Sequence, residues 1–326
     1  MKNILITGGT GFIGSSLAIA LVEQGYNVRI LRRESSDLRA IGNLDVQHAL
    51  GDIRDVEAVK RAMKGCDTVF HTAAVVSYWR RQRDHMFDVN IGGTRNVVEA
   101  CIELGVSRLI HTSSIAAIGH FPGQLADEYT QFNWLSLDIG YRISKHRSEQ
   151  EIMRGLKLGL PAVIVNPAVV IGPRDIHFHG GQIIRDVYKK RIFYYPRGGT
   201  NVVYIDDVVR GHIAAARQGR IGERYILSGE NLTHQQMVTI VAEQVNGLKP
   251  FLLLPKTIAT GIASVAELVA LATGTKPWVT RELVAGIDRT THFSHAKATR
   301  ELSYSPTPFR DAVQKTFEWY RQHGMI

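Results

Sequence analysis

The stretch MKNILITGGTGFIG, Met1 to Gly14, decides the fold. Asn3 to Thr7 is a short apolar, β-branched run that reads as a buried strand, and it breaks at once into glycines followed by an alanine-rich pattern of helical period. The glycines stand at Gly8, Gly11 and Gly14, and each meets its own requirement. Gly8 lets the chain turn sharply off the strand, Gly11 lets the backbone come within contact distance of a pyrophosphate, and Gly14 lets the new helix pack closely on the sheet. The N–H groups at the helix start then face the phosphates.

The first helix is expected to run to Glu23 or Gln24, with Gly25 as its stop, and Asn27 to Leu31 reads as the second strand. Eighteen residues beyond Gly14, where a dinucleotide fold that uses NAD places an Asp or Glu on the adenosine ribose, stands Arg32, followed by Arg33, Ser35 and Ser36. A guanidinium clamps a 2′-phosphate that a carboxylate would repel, so the pair favours NADP(H) and leaves NAD(H) as the second cofactor; the plainer reading is two solvated arginines at a strand end. Val46 to Ala49 gives a third strand. Asp52 is either an acceptor for the adenine amino group, with Ile53 against the ring, or a helix N-cap. Thr68 to Thr72 is a fourth strand, ending in Ala73 and Ala74, whose small side chains let the backbone pass close to a cofactor. Asn90 to Leu104 reads as a helix and Arg108 to Thr112 as a fifth strand, ending in Ser113 and Ser114. This alternation predicts an α/β fold, a doubly wound parallel sheet of Rossmann type covered on both faces, with ligands at the carboxyl ends of its strands.

At 326 residues the chain has room for such a domain, residues 1–165, and a smaller, mostly helical C-terminal lobe, residues 166–326, with some segments returning to the sheet. Hydrophobic residues at 44% and charged ones at 21% exclude a disordered chain. The two cysteines, Cys66 and Cys101, have no metal or CxxC spacing, which fits a reducing, cytoplasmic setting. The N-terminal apolar run stops at the glycines, so no secretory signal is expected. A net charge of +9 is spread over short clusters, Arg32-Arg33, Arg80-Arg81-Arg83 and Lys189-Lys190-Arg191. No helix-turn-helix, zinc or RNA-binding signature accompanies it, so no nucleic-acid partner is expected, and an anionic cofactor, substrate or membrane explains the charge as well as non-specific nucleic-acid binding would. Thr257 to Gly274 is the one long, lightly charged stretch; a helix packed in the second lobe is the preferred reading, ahead of a membrane-surface element.

Chemistry enters with Tyr141-Arg142-Ile143-Ser144-Lys145, which puts Tyr141 and Lys145 four apart on one face of a helix continuing through Leu158. A phenol is a poor proton carrier at neutral pH, and a neighbouring ammonium is expected to lower its pKa; Lys145 can also hold a nicotinamide ribose. Ser114, at the end of the fifth strand, would hydrogen-bond the substrate oxygen that gains or loses a proton as hydride moves. Tyrosine and lysine commonly decorate helices, so the pair carries weight only in this order, after a glycine-rich turn and a serine-ended strand.

With these residues in view, the chain resembles the extended short-chain dehydrogenase/reductases over nearly its whole length. The matching runs are TGGTGFIG (Thr7 to Gly14), GDIRD (Gly51 to Asp55), VFHTAA (Val69 to Ala74), VNIGGTRNVVEA (Val89 to Ala100), SSIAAIG (Ser113 to Gly119), YRISK (Tyr141 to Lys145), NPAVVIGPRD (Asn166 to Asp175) and YIDDV (Tyr204 to Val208). Within that superfamily it is most similar to the branch of dihydroflavonol 4-reductases, 3β-hydroxysteroid dehydrogenases and hopanoid-associated sugar epimerases. The resemblance implies Ser114, Tyr141 and Lys145 as the catalytic triad, with Ser114 preferred to Ser113 because it lies five before Gly119. It also implies cofactor contacts from Thr10, Gly11, Phe12 and Ile13, from Thr72, Ala73 and Ala74, and near Pro167, and a homodimer built through a four-helix contact. One departure is informative. Sugar-nucleotide members usually carry an Arg-Asp-aromatic-Ile-His-Val run whose arginine grips the diphosphate, and Thr200 stands in that arginine's place here, with Arg191 or Arg197 left to substitute.

Beyond Pro167 the pattern loosens. Pro173 to Gly181 reads as a loop whose His177 and His179 lack partners with metal-ligand spacing. Ile192 to Pro196 and Trp278 offer aromatic surface for a flat or hydrophobic substrate, and Asp206-Asp207 read as caps of the following helix. The expectation is an NADP(H)-dependent oxidoreductase interconverting a ketone and a secondary alcohol, with an internal-redox epimerase or dehydratase as the second enzyme reading and a non-catalytic NADP(H)-binding protein as the third. A binding module has no need of the full triad.

Overall fold

In the computed structural model, which describes residues 1–326, the chain opens with β1 (Asn3–Thr7), α1 (Phe12–Glu23), β2 (Asn27–Arg32), β3 (Gln47–Leu50), α2 (Val56–Met63), β4 (Thr68–His71), α3 (Arg83–Phe87), α4 (Gly93–Glu103), β5 (Arg108–Thr112), α5 (Gly140–Lys157) and β6 (Ala162–Pro167). It continues with β7 (Val169–Ile171), α6 (Gln182–Tyr188), β8 (Tyr194–Pro196), β9 (Gly199–Tyr204), α7 (Ile205–Gln218), β10 (Arg224–Leu227), β11 (Glu230–Thr233), α8 (His234–Val245), β12 (Leu252–Leu254), α9 (Lys256–Thr273), α10 (Arg281–Ala285), α11 (Ala296–Leu302) and α12 (Phe309–Gln322). Seven strands form one parallel sheet in the order β3-β2-β1-β4-β5-β6-β10. The order reverses between β1 and β4, and the crevice at that reversal is where such sheets bind ligands.

Strand β1 shows why the sheet is buried on both faces. Ile4 and Ile6 point into one core of 44 buried residues, shared with Leu17, Ala18 and Leu21 of α1 and with Val208, Val209 and Ile213 of α7. Leu5 points the other way, into a core of 18 residues with Val59 and Met63 of α2, Val97, Val98 and Cys101 of α4 and Ile152 of α5. Successive side chains of a strand face opposite sides, so an uninterrupted apolar run needs helices on both.

The connections depart from expectation in instructive ways. Helix α4 begins late because Asp88–Gly92 makes a wider turn, inside which the Asn90 side chain accepts from Val75 N at 2.7 Å and donates to Val75 O at 2.9 Å. Asp55, not Asp52, caps α2, accepting from Glu57 N and Ala58 N. Asp206 and Asp207 do not cap α7, whose N-cap is Tyr204; buried Asp207 instead accepts from Thr307 N at 2.7 Å and Thr307 Oγ1 at 2.9 Å, fastening the turn before α12.

The second lobe is less helical than its sequence suggests. It holds a three-stranded sheet, β11-β9-β7, and a two-stranded one, β12-β8, while α7 and β10 return to the large sheet. Helix α9 forms where expected but is not packed away: only Ala259, Ala263, Ala266 and Ala270 are buried, so its larger apolar side chains face outward.

The turn from β1 into α1 is the tightest point of the fold. Gly8 has φ +71°, and a Cβ on Gly14 would stand 2.2 Å from Gly8 O and 2.7 Å from Thr72 Oγ1. Gly14→Ala is therefore expected to push α1 off the sheet and lower the unfolding free energy by about 1–3 kcal/mol, read as a lower urea midpoint with unchanged slope. A variant as stable as the parent would remove close packing as the reason for glycine there.

Candidate active site

The crevice is framed by the carboxyl ends of β1, β4, β5 and β6. At its floor α1 starts from Gly11, in extended conformation, with no side chain capping the first turn. Its N–H groups stay available to an anion, and the Cβ-free path through Gly8, Gly11 and Gly14 is the cradle a pyrophosphate needs, so the residues present fit a dinucleotide. Thr72 Oγ1 donates to Thr7 O at 2.7 Å, clipping the ends of β1 and β4 together. Behind them His71 shares hydrogen bonds with Thr7 Oγ1 (2.7 Å) and Thr94 Oγ1 (3.0 Å). Burial drives His71 down to about 3, so it stays neutral and acts as a rigid bridge rather than a proton carrier. Thr10 lies in the turn before α1, Phe12 and Ile13 begin that helix, Ala73 and Ala74 follow the end of β4, and Pro167 closes β6.

On the adenosine side, Arg32 donates to His48 Nδ1 at 3.0 Å and to Arg33 O at 3.2 Å, and Arg33 is exposed. Asp52 is held by Arg54, through its backbone N at 2.9 Å and guanidinium nitrogens at 3.1 and 3.0 Å. Those hydrogen bonds hold the Asp52 carboxyl below its ordinary range. The loop carrying His177 approaches this end: His177 Nε2 lies 3.8 Å from Asp37 Oδ2.

The three candidate catalytic side chains converge from two elements. Ser114 follows β5 and accepts from Ala116 N at 3.1 Å, which orients its hydroxyl; it lies beside the phenol of Tyr141, in the first turn of α5, and favours that phenol's ionised form. Ser113 is buried, toward Glu149. Lys145 is buried, and its Nζ donates to Thr112 O at 3.0 Å. Burial lowers its pKa to about 8, against the opposing pull of Glu149 one turn further along α5.

One sequence expectation needs correcting. Lys145 does not depress the Tyr141 phenol in this structure, because its amine is turned to the Thr112 carbonyl. Burial raises the phenol well above its ordinary value, with the neighbouring Tyr78 adding to the rise, while Ser114 and the Arg142 guanidinium pull it back.

Further groups stand about this site that spacing alone does not reveal. The Tyr78 ring lies 5.6 Å from the Tyr141 ring. Arg142 stacks 3.9 Å from the centre of the buried Trp134 ring, and Arg289 approaches the same ring at 5.1 Å. The charged or titratable groups acting on Arg142 are Tyr78, Tyr141 and Arg289, with no carboxylate among them. His120, held through its backbone by Asn133, lies 5.7 Å from Trp134. Behind Lys145, Glu149 accepts from Arg224 at 2.7 Å and from Asn166 Nδ2 at 2.7 Å. The signals available were adjacency, Arg142 beside Tyr141, and the four-residue step from Lys145 to Glu149; Arg289 and His120 arrive only through tertiary contact. Phe193 and Trp278, expected as substrate surface, are exposed, with Phe193 stacked on Phe251.

Residues 4–228 match the model of the NAD dependent epimerase/dehydratase family. The chain belongs to that family, and it is an enzyme of the extended short-chain dehydrogenase/reductase type. It is 34% identical to a putative dihydroflavonol 4-reductase of Synechocystis sp. over 98% of this chain and 95% of that one. It is 30% identical to 4-hydroxy-2-methyl-3-oxo-4-farnesyl-3,4-dihydroquinoline-1-oxide ketoreductase of Stigmatella aurantiaca, over 98% of this chain and 96% of the relative. The crystal structure of gox2253 superposes with a TM-score of 0.87 at 39% identity, covering 100% of both chains.

The buried amine gives a pH test. The folded-state pKa of Lys145 lies below its unfolded value, so between about 8 and 10.5 the unfolded chain binds the extra proton and stability rises with pH. Relative to Lys145→Met, the parent should gain on the order of 3 kcal/mol across that window, measured by urea unfolding at each pH. A difference between the two proteins that does not change with pH would rule out the lowered pKa.

Proposed function

We propose that this enzyme interconverts a ketone and a secondary alcohol on a medium-sized, hydrophobic small molecule, using NADP(H). The observation that supports the reading is Ser114 beside the Tyr141 phenol, with Lys145 four residues further along α5, in a fold whose first helix starts without a side-chain cap. The name of the ketoreductase relative supports the reaction type, and Thr200 in the place of a diphosphate-gripping arginine favours it over nucleotide-sugar chemistry.

When bound, the nicotinamide ring supplies or takes the hydride at the carbonyl carbon. Ser114 Oγ donates to the carbonyl oxygen and polarises it. Tyr141 gives its proton to that oxygen; raised by burial, the phenol is fully protonated at neutral pH and enters the reductive direction as an acid. The cost of the phenolate left behind is offset by the Ser114 hydroxyl and by the Arg142 guanidinium. Lys145, anchored on Thr112 O, keeps further N–H donors for the nicotinamide ribose. For coenzyme choice, Arg32 and Arg33 occupy the positions where a ribose-binding acid would stand; Arg33 is exposed, and Arg32 would exchange its contacts with His48 and Arg33 O for a 2′-phosphate.

Tyr141→Phe is expected to lower NADPH-dependent ketone reduction by about 10³-fold while leaving NADPH affinity unchanged in a fluorescence titration. Full turnover by the variant would reject the assignment. Consumption of nicotinamide absorbance in step with product separates this reading from an internal-redox epimerase, which shows no net change. In the same titration the parent should bind NADPH more tightly than NADH, and Arg33→Asp should narrow the ratio by roughly tenfold; a parent that prefers NADH overturns the coenzyme choice.

A further inference from the structure

Helix α9 packs with its smallest side chains and leaves its largest ones bare. Ala259, Ala263, Ala266 and Ala270 form its buried stripe, and Ala259 and Ala263 meet Val284 of α10 in a small core with Leu254, Val279 and Ile287 around it. Ile258, Ile262, Val265 and Val269 each stand one residue ahead of those alanines, so they form a second stripe turned by about 100°. That stripe is exposed, Val265 to 61%, and Leu268 beside it to 65%. Aromatic residues mark both ends: Phe251, 76% exposed and stacked on Phe193 at 5.6 Å, precedes the helix, and Trp278, 72% exposed, follows it. The helix's own charges are withdrawn into ion pairs, Lys256 with Asp288 at 2.9 Å and Glu267 with Arg281 at 2.7 Å. Cations flank the aromatic residues: exposed Lys189, Lys190 and Arg191 lead into Phe193, and exposed Lys276 comes just before Trp278.

Single exposed apolar residues are ordinary, but a continuous row framed by aromatics and cations is not. We propose that this face docks the enzyme on an anionic membrane, with α9 lying in the headgroup region, its Ile-Val-Leu stripe toward the acyl chains and the lysine and arginine rim on lipid phosphates. Trp278 suits the interface, where an apolar body and a polar edge are both satisfied, and Phe251 adds apolar contact at the other end. Lying flat is favoured over spanning. Eighteen residues reach about 27 Å, short of a hydrocarbon core of about 30 Å, and the alanine stripe and the Glu267–Arg281 pair fasten the helix along its length to the lobe. A second copy of the chain fits less well, because a two-fold contact along α9 would bring the two basic rims together.

The test is sedimentation of the full chain with vesicles of phosphatidylcholine alone and of phosphatidylcholine with phosphatidylglycerol, at low and high salt. Binding to the anionic vesicles, weakened by salt and accompanied by a blue shift in tryptophan emission, is expected. The double variant Ile262→Ser/Leu268→Ser and the triple variant Lys189→Ala/Lys190→Ala/Lys276→Ala should each reduce the bound fraction by roughly tenfold. Because every altered side chain is exposed, thermal midpoint and NADPH affinity should match the parent, which separates this result from misfolding or a failed active site. A parent that stays in the supernatant, or an Ile262→Ser/Leu268→Ser variant that binds as well as the parent, overturns the proposal. So does equal binding to both vesicle types, or a dimer broken by that variant in the absence of vesicle binding, which would assign the face to a second copy.

Discussion

The structure depends on one close approach, where α1 leaves β1 with no room for a side chain between helix, strand and the neighbouring β4. Gly14 would drive a Cβ into Gly8 O, and Gly8 would drive one to 2.7 Å from the Ala73 backbone. Because these atoms touch, the first turn of α1 lies directly over the reversal in strand order, and the N–H groups that a side-chain cap would otherwise occupy open into the crevice. The same contact fixes where β4 ends, through the Thr72 to Thr7 hydrogen bond. Cofactor cradle and sheet packing are thus one arrangement of backbone, and a change that loosens either loosens both.

A second constraint is electrostatic and runs along α5. Tyr141, Lys145 and Glu149 follow one another at four-residue steps on one helix face, so the helix carries an acid, a cation and an anion in line from the cleft inward. Lys145 and Glu149 are buried and Tyr141 is half-buried, and desolvation shifts each toward its neutral form. Arg224 and Asn166 bind both oxygens of Glu149, which keeps the far end of this line fixed. Asn90 plays the corresponding part beside it, donating to Ser144 Oγ at 2.9 Å while holding Val75, and so ties α5 to the loop after β4. The alignment of phenol and amine is therefore set from behind, by groups that touch neither substrate nor cofactor.

How much of this is legible in the sequence follows from which interactions are local. Strands β1, β2, β4 and β5 announce themselves because a strand covered on both faces must be apolar throughout and must stop where the chain turns. The alternation with helices then fixes the sheet order, and the glycine spacing locates the crevice. The lobe is harder to see: β7, β8 and β12 have three residues each, and β9 and β11 acquire their strand character only from distant partners. Burial is hidden for a different reason. The apolar residues of α9 include both the alanines that are covered and the Ile, Val and Leu that are not, and composition alone cannot say which stripe meets protein. Spacing does bring Lys145 to the face of Tyr141, yet the direction of its amine is decided by Thr112 O, contributed by β5 thirty-three residues earlier.

That last difference bears on how the site performs chemistry. In the carbonyl reduction proposed above, negative charge would grow on an oxygen and then on the phenol that protonates it, so the useful groups would be those that favour the later charge distribution over the earlier one. A phenol held neutral by burial, with a hydroxyl and an unpaired guanidinium already turned toward it, has this property: little is gained while Tyr141 carries its proton and much once it has given it up. A carboxylate paired to Arg142 would cancel the effect, and the guanidinium instead rests on the face of Trp134, where its charge stays uncompensated. Stacking on an aromatic ring allows a cation to be buried without being neutralised. The site therefore holds its positive charge ready before any substrate enters, and the rigid packing of Trp134 beneath it avoids reorganisation at the moment of proton transfer.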